Sequence, residues 1–359
     1  MKKLFLLGLL TFAALSPTYG WDHWETFKNT NLEKGRVIDF SDERRVTTSE
    51  GQSYAMFFAL VANDQKTFAS LVDWTQANLA RGDLTKTLPS WLWGRSRQTW
   101  GILDTNNAMD SDMWIAYCLL EAGRLWQRED YTKLGLAMMQ LMKSQVRELD
   151  SLGLVLLPGR VGFEDEESVK LNPSYYPLFI LKRFAAEDPY WNDVYDGSLR
   201  MLLRSSPSGV APDWASFNRK GELIATQEAD NVIGSYNAIR VYLWAGMMSA
   251  KDPAYRQLKA HFAPMLEVAE KLNAAPEKID VNTLKINQAG PTGFVASMLP
   301  LMKDRANAAL MRSILLNEGL QKDSYYSNVL TLYGLGFDQH LFAFDENGYL
   351  YFPRQGFQK

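Results

Sequence analysis

The sequence predicts an all-α toroid of helical hairpins, in which two rings of helices surround one core. Apolar residues recur at helical spacing in one segment after another. No run of β-branched residues alternates with these segments, which argues against a βα barrel or a doubly wound sheet. No linker rich in Ser, Gly or Pro interrupts residues 21–359, so we expect them to form a single domain.

The helical spacing predicts a consecutive series of helices, several of them separated by turn-like stretches that contain Asp, Asn or Pro. The segments are residues 50–62, 68–79, 111–126, 131–146, 175–185, 236–248, 254–272, 294–302 and 325–335. A four-helix bundle has no place for so many segments, whereas a toroid of helix pairs buries all of them. Loops at one end of such a rigid scaffold are the usual place for a binding cleft.

The first twenty residues differ from the rest of the chain. Lysines at positions 2 and 3 precede an apolar run over residues 4–15, and small residues follow before Trp21. This order is typical of a secretory signal peptide, and the run is too short to be a good membrane span. No second long apolar run follows. We therefore expect residues 1–20 to be a signal peptide, and the exported product to have no membrane span.

Charge and aromatic content narrow the possible partners. The 38 Lys and Arg against 41 Asp and Glu give a net charge of −3, which implies no surface for nucleic acid. With 11 Trp, 16 Tyr and 18 Phe the chain is rich in flat rings, which suit sugar faces, although most single rings are expected in the core. The three histidines are far apart and no glycine-rich loop follows a strand, so we expect no metal and no other cofactor.

Carboxylates set among aromatic residues are the remaining source of chemistry. Glu50 opens an otherwise apolar helix, although Thr47 and Glu50 also fit a capping box. Asp110 and Asp112 lie at the start of a later helix, where the helix dipole favours acids, but two acids one residue apart cannot share a helix face. Residues 234–240 add an amide and a guanidinium near another helix start. Hydrolysis of a glycosidic bond needs a carboxylic acid and, with inversion, a second carboxylate that activates water.

Several stretches together resemble glycoside hydrolase family 8. They are Thr-Ser-Glu-Gly-Gln-Ser-Tyr at 48–54, Ala-Met-Asp-Ser-Asp-Met-Trp-Ile-Ala at 108–116 and Asn-Pro-Ser-Tyr at 172–175, with support at 35–39, 89–94, 157–163, 276–281, 290–294, 325–326 and 338–340. The resemblance implies an (α/α)6 barrel whose cleft binds a β-1,4-glucan (cellulose) chain and cuts internal bonds with inversion, as an endo-β-1,4-glucanase. It also implies a periplasmic location and a role in bacterial cellulose biosynthesis, with the cellulose synthase secretion complex as a partner.

The resemblance implies roles for matching residues. Glu50 falls on the family's general acid, and Asp110 on the carboxylate that holds the sugar at the cleavage point, with Asp112 beside it. The rings expected to stack on glucose are Trp91, Trp93, Tyr175 and Trp214. The groups expected to contact hydroxyls or to orient the acids are Tyr54 and Arg240.

Asn237 departs from the family pattern. It stands where the resemblance implies an aspartate that acts as general base. An amide can hold a water molecule but cannot take its proton, and losing such a base removes roughly 10²–10⁴-fold of rate. A carboxylate elsewhere is one explanation, and the nearest in sequence are Asp230, Glu228 and Asp213, while Asp110 could also contribute. The others are binding of glucan with little or no turnover, and an introduced change that traps substrate.

Two further classes of function stay open beside the hydrolase. A non-hydrolytic glucan-binding protein on the same scaffold would show affinity without turnover. A structural toroid that recruits other proteins of a secretion complex would show no binding of soluble glucan. Toroids also host other chemistries, such as those of polysaccharide lyases and chitosanases.

Overall fold

Helices dominate the protein, whose computed structural model describes residues 21–225 and 229–355. In chain order the helices are α1 (Asp22–Asn31), α2 (Ser49–Val61), α3 (Gln65–Asn78), α4 (Met109–Trp126), α5 (Glu129–Met142), α6 (Leu178–Glu187), α7 (Tyr190–Ser205), α8 (Ala229–Val232), α9 (Ile239–Met247), α10 (Pro253–His261), α11 (Ala263–Leu272), α12 (Thr292–Met302), α13 (Ala308–Glu318) and α14 (Tyr325–Asp338). The predicted signal peptide, residues 1–20, lies outside the described residues.

Short strands join the helices and pair in small antiparallel sheets. They are β1 (Leu32–Glu33), β2 (Arg36–Val37), β3 (Thr47–Thr48), β4 (Leu92–Ser96), β5 (Thr99–Asp104), β6 (Val146–Leu149), β7 (Gly153–Leu156), β8 (Ser168–Leu171), β9 (Ala215–Asn218), β10 (Ile233–Gly234), β11 (Ile279–Asp280), β12 (Ala343–Phe344) and β13 (Leu350–Tyr351). The sheet with strand order β3-β4-β5 is the largest of the described part. Because β3 leads into α2 and β5 precedes α4, this sheet fixes how both helices begin.

The inner ring consists of α2, α4, α6, α9, α12 and α14, which are apolar on nearly all sides. In α2 every residue except Glu50 is buried, and every residue of α9 is buried. A helix that is apolar all round needs partners all round, and neighbouring inner and outer helices together supply them. The ring closes where Tyr333 of α14 packs against Tyr54 and Phe57 of α2, with ring centroids 5.2 Å apart in both pairs.

The outer ring consists of α1, α3, α5, α7, the pair α10 and α11, and α13, each packed on the inner ring. These helices bury only one stripe; in α13 that stripe is Ala308, Met311 and Leu315. Six inner helices inside six outer layers make the (α/α)6 barrel, which confirms the predicted fold class.

The structure corrects the predicted helices in two respects. The segment predicted at 254–272 is two helices, because the proline at the second position of α11 has no N–H to continue the bonding of α10. Helices α1, α7, α8 and α13 were absent from the predicted series. Within the two described ranges, no helix combines the length and apolar character that crossing a membrane requires.

A buried carboxylate connects the barrel to its last hairpin. Glu121 of α4 has no exposed surface and accepts a hydrogen bond from Nε of Arg183 on α6 at 2.7 Å. It also accepts from Arg124 and from the backbone N–H of Leu350 at 2.8 Å, at the start of β13. The carboxylate of Glu121 therefore joins α4, α6 and β13.

We expect Glu121→Ala to lower the free energy of unfolding by about 3 kcal/mol, because the buried guanidinium of Arg183 loses the more buried of its two carboxylate partners and keeps only Glu187. Urea unfolding followed by circular dichroism measures the loss. Glu129→Ala is the matched control, since its carboxylate is 83% exposed and pairs only with Lys133 at 3.3 Å. Equal stability of the two variants would contradict a structural role for Glu121.

Candidate active site

The guanidinium of Arg240 gathers side chains from three elements at one end of the barrel. Its Nη1 donates to Glu50 Oε2 at 2.6 Å, to Asp110 Oδ2 at 3.0 Å and to the Tyr54 hydroxyl at 3.0 Å. Its Nη2 donates to Asn237 Oδ1 at 2.9 Å. The structure thus brings together five residues that lie up to 190 positions apart in the sequence.

Glu50 is the most accessible of the charged groups in this cluster, with 22% of its side chain exposed against 5% for Asp110 and 3% for Arg240. The helix that carries it is capped by Thr48, whose hydroxyl accepts from the N–H of Gly51 at 3.0 Å. The predicted capping box between Thr47 and Glu50 is therefore wrong. Because capping does not occupy the Glu50 carboxylate, it turns to Arg240 instead.

Asp110 and Asp112 have different surroundings, as their spacing predicts. Asp110 lies in the first turn of α4, where its Oδ1 accepts from the N–H of Ser111 at 2.7 Å and its Oδ2 reaches Arg240. Asp112 has no exposed surface, and its Oδ2 accepts from Nδ2 of Asn107 at 2.7 Å. Asp112 thus holds the loop before α4, and its expected contact with substrate stays a prediction.

Asp213 anchors the turn that carries Asn237 and Arg240. Its Oδ1 accepts backbone N–H groups from Ser235 at 2.9 Å, Asn237 at 3.0 Å and Ala238 at 2.8 Å, and its Oδ2 accepts the hydroxyl of Ser235. With both oxygens occupied, Asp213 suits anchoring better than proton transfer. From its place in the sequence Asp213 was expected only as a possible base, because the groups that it anchors lie more than twenty residues away.

Asp230 and Glu228 are the other two candidate bases. Asp230 is exposed on α8, and its carbonyl oxygen accepts from the N–H of Trp214 at 2.9 Å. Glu228 lies outside the described residues. Position 237 itself presents a half-buried amide whose oxygen accepts from Arg240. Its Nδ2 donates to no acceptor among residues 21–225 and 229–355.

Burial sets the acidity of the cluster. Burial raises the pKa of Glu50 to about 7; the positive charge of Arg240 opposes this rise and the negative charge of Asp110 adds to it. Burial also raises the pKa of Asp110, again against Arg240. Glu50 is therefore protonated in a substantial fraction of molecules at neutral pH, as a proton donor must be.

Aromatic side chains extend from the cluster on one side. The guanidinium of Arg240 lies 5.8 Å from the ring centre of Tyr175, and the Tyr175 ring lies 6.2 Å from that of Trp214. Trp214 in turn stacks on Phe163 at 5.6 Å, with 9° between the ring planes. Phe163 ends the 157–163 stretch noted above, but no local pattern indicates that its ring stacks on Trp214.

A second aromatic group lies next to Asn237. The ring of Tyr236 is 43% exposed, and its hydroxyl donates to Glu277 Oε1 at 2.9 Å. The hydroxyl of Tyr326 donates to the carbonyl oxygen of Tyr236. These contacts hold an exposed ring beside the cluster. Both tyrosines lie in stretches noted above, 234–240 and 325–326, but neither was assigned a role there.

Trp91, directly before β4, and Trp93, within β4, have different roles. The carbonyl oxygen of Trp91 accepts from the N–H of Ser49 at 2.9 Å, and its N–H donates to the carbonyl oxygen of Asn106 at 2.7 Å. Trp91 thus connects the segment before Glu50 to the segment before Asp110. Trp93 packs edge-on to Trp74 at 5.3 Å and stacks on Trp100 at 5.4 Å.

Comparison with known proteins identifies the class. The model of glycosyl hydrolases family 8 matches residues 1–340. Curated relatives named endoglucanase include one from Escherichia coli O157:H7, 43% identical over 96% of this chain and 95% of its own length. Another, from Xanthomonas axonopodis pv. citri (strain 306), is 39% identical over 96% of this chain and 92% of its own length. The chain therefore belongs to glycosyl hydrolase family 8.

Solved structures agree with this assignment. The endo-1,4-D-glucanase of Vibrio fischeri ES114 is 44% identical and superposes with a TM-score of 0.89, over 93% of this chain and 99% of its own. The endo-β-1,4-glucanase CMCax of Acetobacter xylinum is 30% identical with a TM-score of 0.74, over 89% of this chain and 98% of its own. The resemblance noted from short stretches is thus confirmed over nearly the whole described chain.

We expect Asp213→Ala to lower the free energy of unfolding by about 2 kcal/mol, because three backbone N–H groups and a hydroxyl lose their shared acceptor. Asp213→Asn keeps one acceptor oxygen and should lose clearly less. Urea unfolding of both variants measures the difference. A full loss in Asp213→Asn would mean that the charge, and not the acceptor geometry, anchors the turn.

Proposed function

We propose that this protein is an endo-β-1,4-glucanase that hydrolyses internal bonds of cellulose with inversion at the anomeric carbon. The observation that carries the proposal is the Glu50 carboxyl, which is 22% exposed, is bound to Arg240 beside Asp110, and has a pKa raised by burial to about 7. The names of the family members at about 40% identity agree with it. They lend no support to the alternatives of a purely glucan-binding or structural protein.

In the proposed mechanism Glu50 is the general acid and protonates the oxygen that leaves with the departing chain. Asp110 is fixed by Ser111 and Arg240 and positions the sugar at the cleavage point. Tyr54 and Arg240 orient the two acids, while Tyr175, Trp214 and Trp91 supply rings for neighbouring glucose units. Trp93 packs against the rings of Trp74 and Trp100. In this proposal it binds glucose together with those rings.

Asn237 holds the attacking water without removing its proton. Arg240 fixes the amide oxygen, so Nδ2 can donate to the water oxygen. Hydrolysis then lacks the contribution of a carboxylate at this position, which is worth roughly 10²–10⁴-fold in rate. Of the alternative bases, Asp213 is occupied in anchoring and Asp230 is exposed on α8, so in this proposal the proton of the attacking water leaves through bulk water.

We further propose that residues 1–20 direct export to the periplasm and that the enzyme serves cellulose biosynthesis beside the synthase secretion complex. The support is the order of charged, apolar and small residues at the start of the chain. The glucan chain is the proposed substrate, with no metal or other cofactor in the mechanism.

We expect activity on carboxymethylcellulose to fall about tenfold per pH unit above pH 7, because the acid must be protonated and burial places the pKa of Glu50 at about 7. Asp110→Asn removes a negative charge that raises this pKa, so the alkaline fall should begin at lower pH in whatever activity remains. Rates of reducing-end release against pH measure both. An alkaline fall that persists unchanged in Glu50→Gln would exclude Glu50 as its source.

We expect Asn237→Asp to raise kcat by roughly 10²-fold or more, because it places a proton acceptor beside the water. Glu50→Gln should lower kcat by roughly 10²–10⁴-fold in either background. The fall in viscosity of carboxymethylcellulose, together with reducing-end release, measures turnover and endo action. Glu129→Gln, on the exposed face of α5, is the matched control. If Asn237→Asp changes nothing and the parent is fast, the base lies elsewhere.

A further inference from the structure

The β4–β5 hairpin carries a ring surface that leads away from Glu50. Trp93 of β4 pairs with Thr47 of β3, three residues before Glu50. On the neighbouring strand Ile102 pairs with Trp93 and Trp100 pairs with Arg95. Because paired residues point to the same side of a sheet, Trp93, Trp100 and Ile102 share one face.

This face exposes more apolar side-chain surface to solvent than is usual in this protein. Trp100 is 49% exposed and Ile102 is 37% exposed, although large apolar side chains are mostly buried in this protein. One side of the Trp100 ring stacks on Trp93 with 21° between the planes, so its indole presents a broad flat surface. The other face of the hairpin is the packed one: a Cβ at Gly94 would meet Val46 and Leu103 at 3.1 Å.

The tryptophan pair is held in place by the protein itself. The guanidinium of Arg36 lies 4.5 Å from the ring centre of Trp93 and 5.0 Å from that of Trp100. Arg36 is fixed in turn, since its Nε donates to the Thr47 hydroxyl at 2.7 Å and its Nη2 donates to the carbonyl oxygen of Arg45. Because these side chains are already held in place, a ligand that stacks on Trp100 loses little binding free energy to side-chain ordering.

We propose that Trp100 binds a sugar unit of the glucan chain remote from the cleaved bond, and that it makes the protein favour long chains over short ones. The proposal rests on the proposed function. The glucan is the occupant because the face continues from the strand pair that leads to Glu50, and because a flat, neutral, hydroxyl-rich chain matches a stacked indole beside an arginine.

The test compares cellotriose with cellohexaose by titration calorimetry in a Glu50→Gln background, which prevents turnover. Trp100→Ala should weaken cellohexaose binding about three- to tenfold, the worth of roughly one stacked ring, and leave cellotriose within about twofold. Trp100→Leu keeps an apolar cover on Trp93 without the flat ring and should show the same loss, whereas Trp100→Tyr should retain most of the affinity. Leu316→Ala, an equally exposed apolar residue on α13, is the matched control.

Unchanged cellohexaose affinity in Trp100→Ala and Trp100→Leu would overturn the proposal, and so would an equal loss for both oligosaccharides. Thermal unfolding of each variant shows whether a loss reflects folding, and Trp100→Leu settles the matter if Trp100→Ala unfolds early. Failure of the underlying function looks different. In that case the Glu50→Gln protein with Trp100 intact would bind no cello-oligosaccharide of any length.

Discussion

One buried positive charge organises this end of the barrel. The side chain of Arg240 is 3% exposed, and a guanidinium so far from water is tolerated only where anions and acceptors surround it. Glu50 from α2, Asp110 from α4 and Asn237 from the turn before α9 supply them. The requirement to satisfy Arg240 therefore also determines the relative positions of the groups proposed to act on a glycosidic bond.

The same arrangement balances acidity. Burial alone disfavours ionisation of Glu50 and Asp110, whereas Arg240 and the N-terminal first turns of α2 and α4 favour it. The more exposed Glu50 retains a pKa near neutrality, and the deeper Asp110 is bound directly to Ser111. Glu50 and Asp110 contact the same guanidinium but differ in exposure and hydrogen bonding, and these differences suit them to different proposed roles.

Inner-ring helices were predictable from sequence because they are buried on all sides and therefore apolar throughout, as in α2, α9 and α12. Outer helices such as α7 and α13 bury one stripe and expose the rest, so their composition resembles that of loops. Glu50, Asp110 and Arg240 stood out through local motifs. The anchoring by Asp213 and the stacking of Phe163 on Trp214 depend on partners distant in the chain, which no local pattern records.

The anchoring by Asp213 has a consequence for how such a site can diversify. The backbone at position 237 is held from outside, by a carboxylate on another segment, and not by the side chain that position 237 itself carries. A mutation there can exchange the reactive group while the main chain keeps its course. Evolution or protein engineering can therefore substitute the side chain at position 237, and so change the chemistry of the site, without a change in the backbone fold.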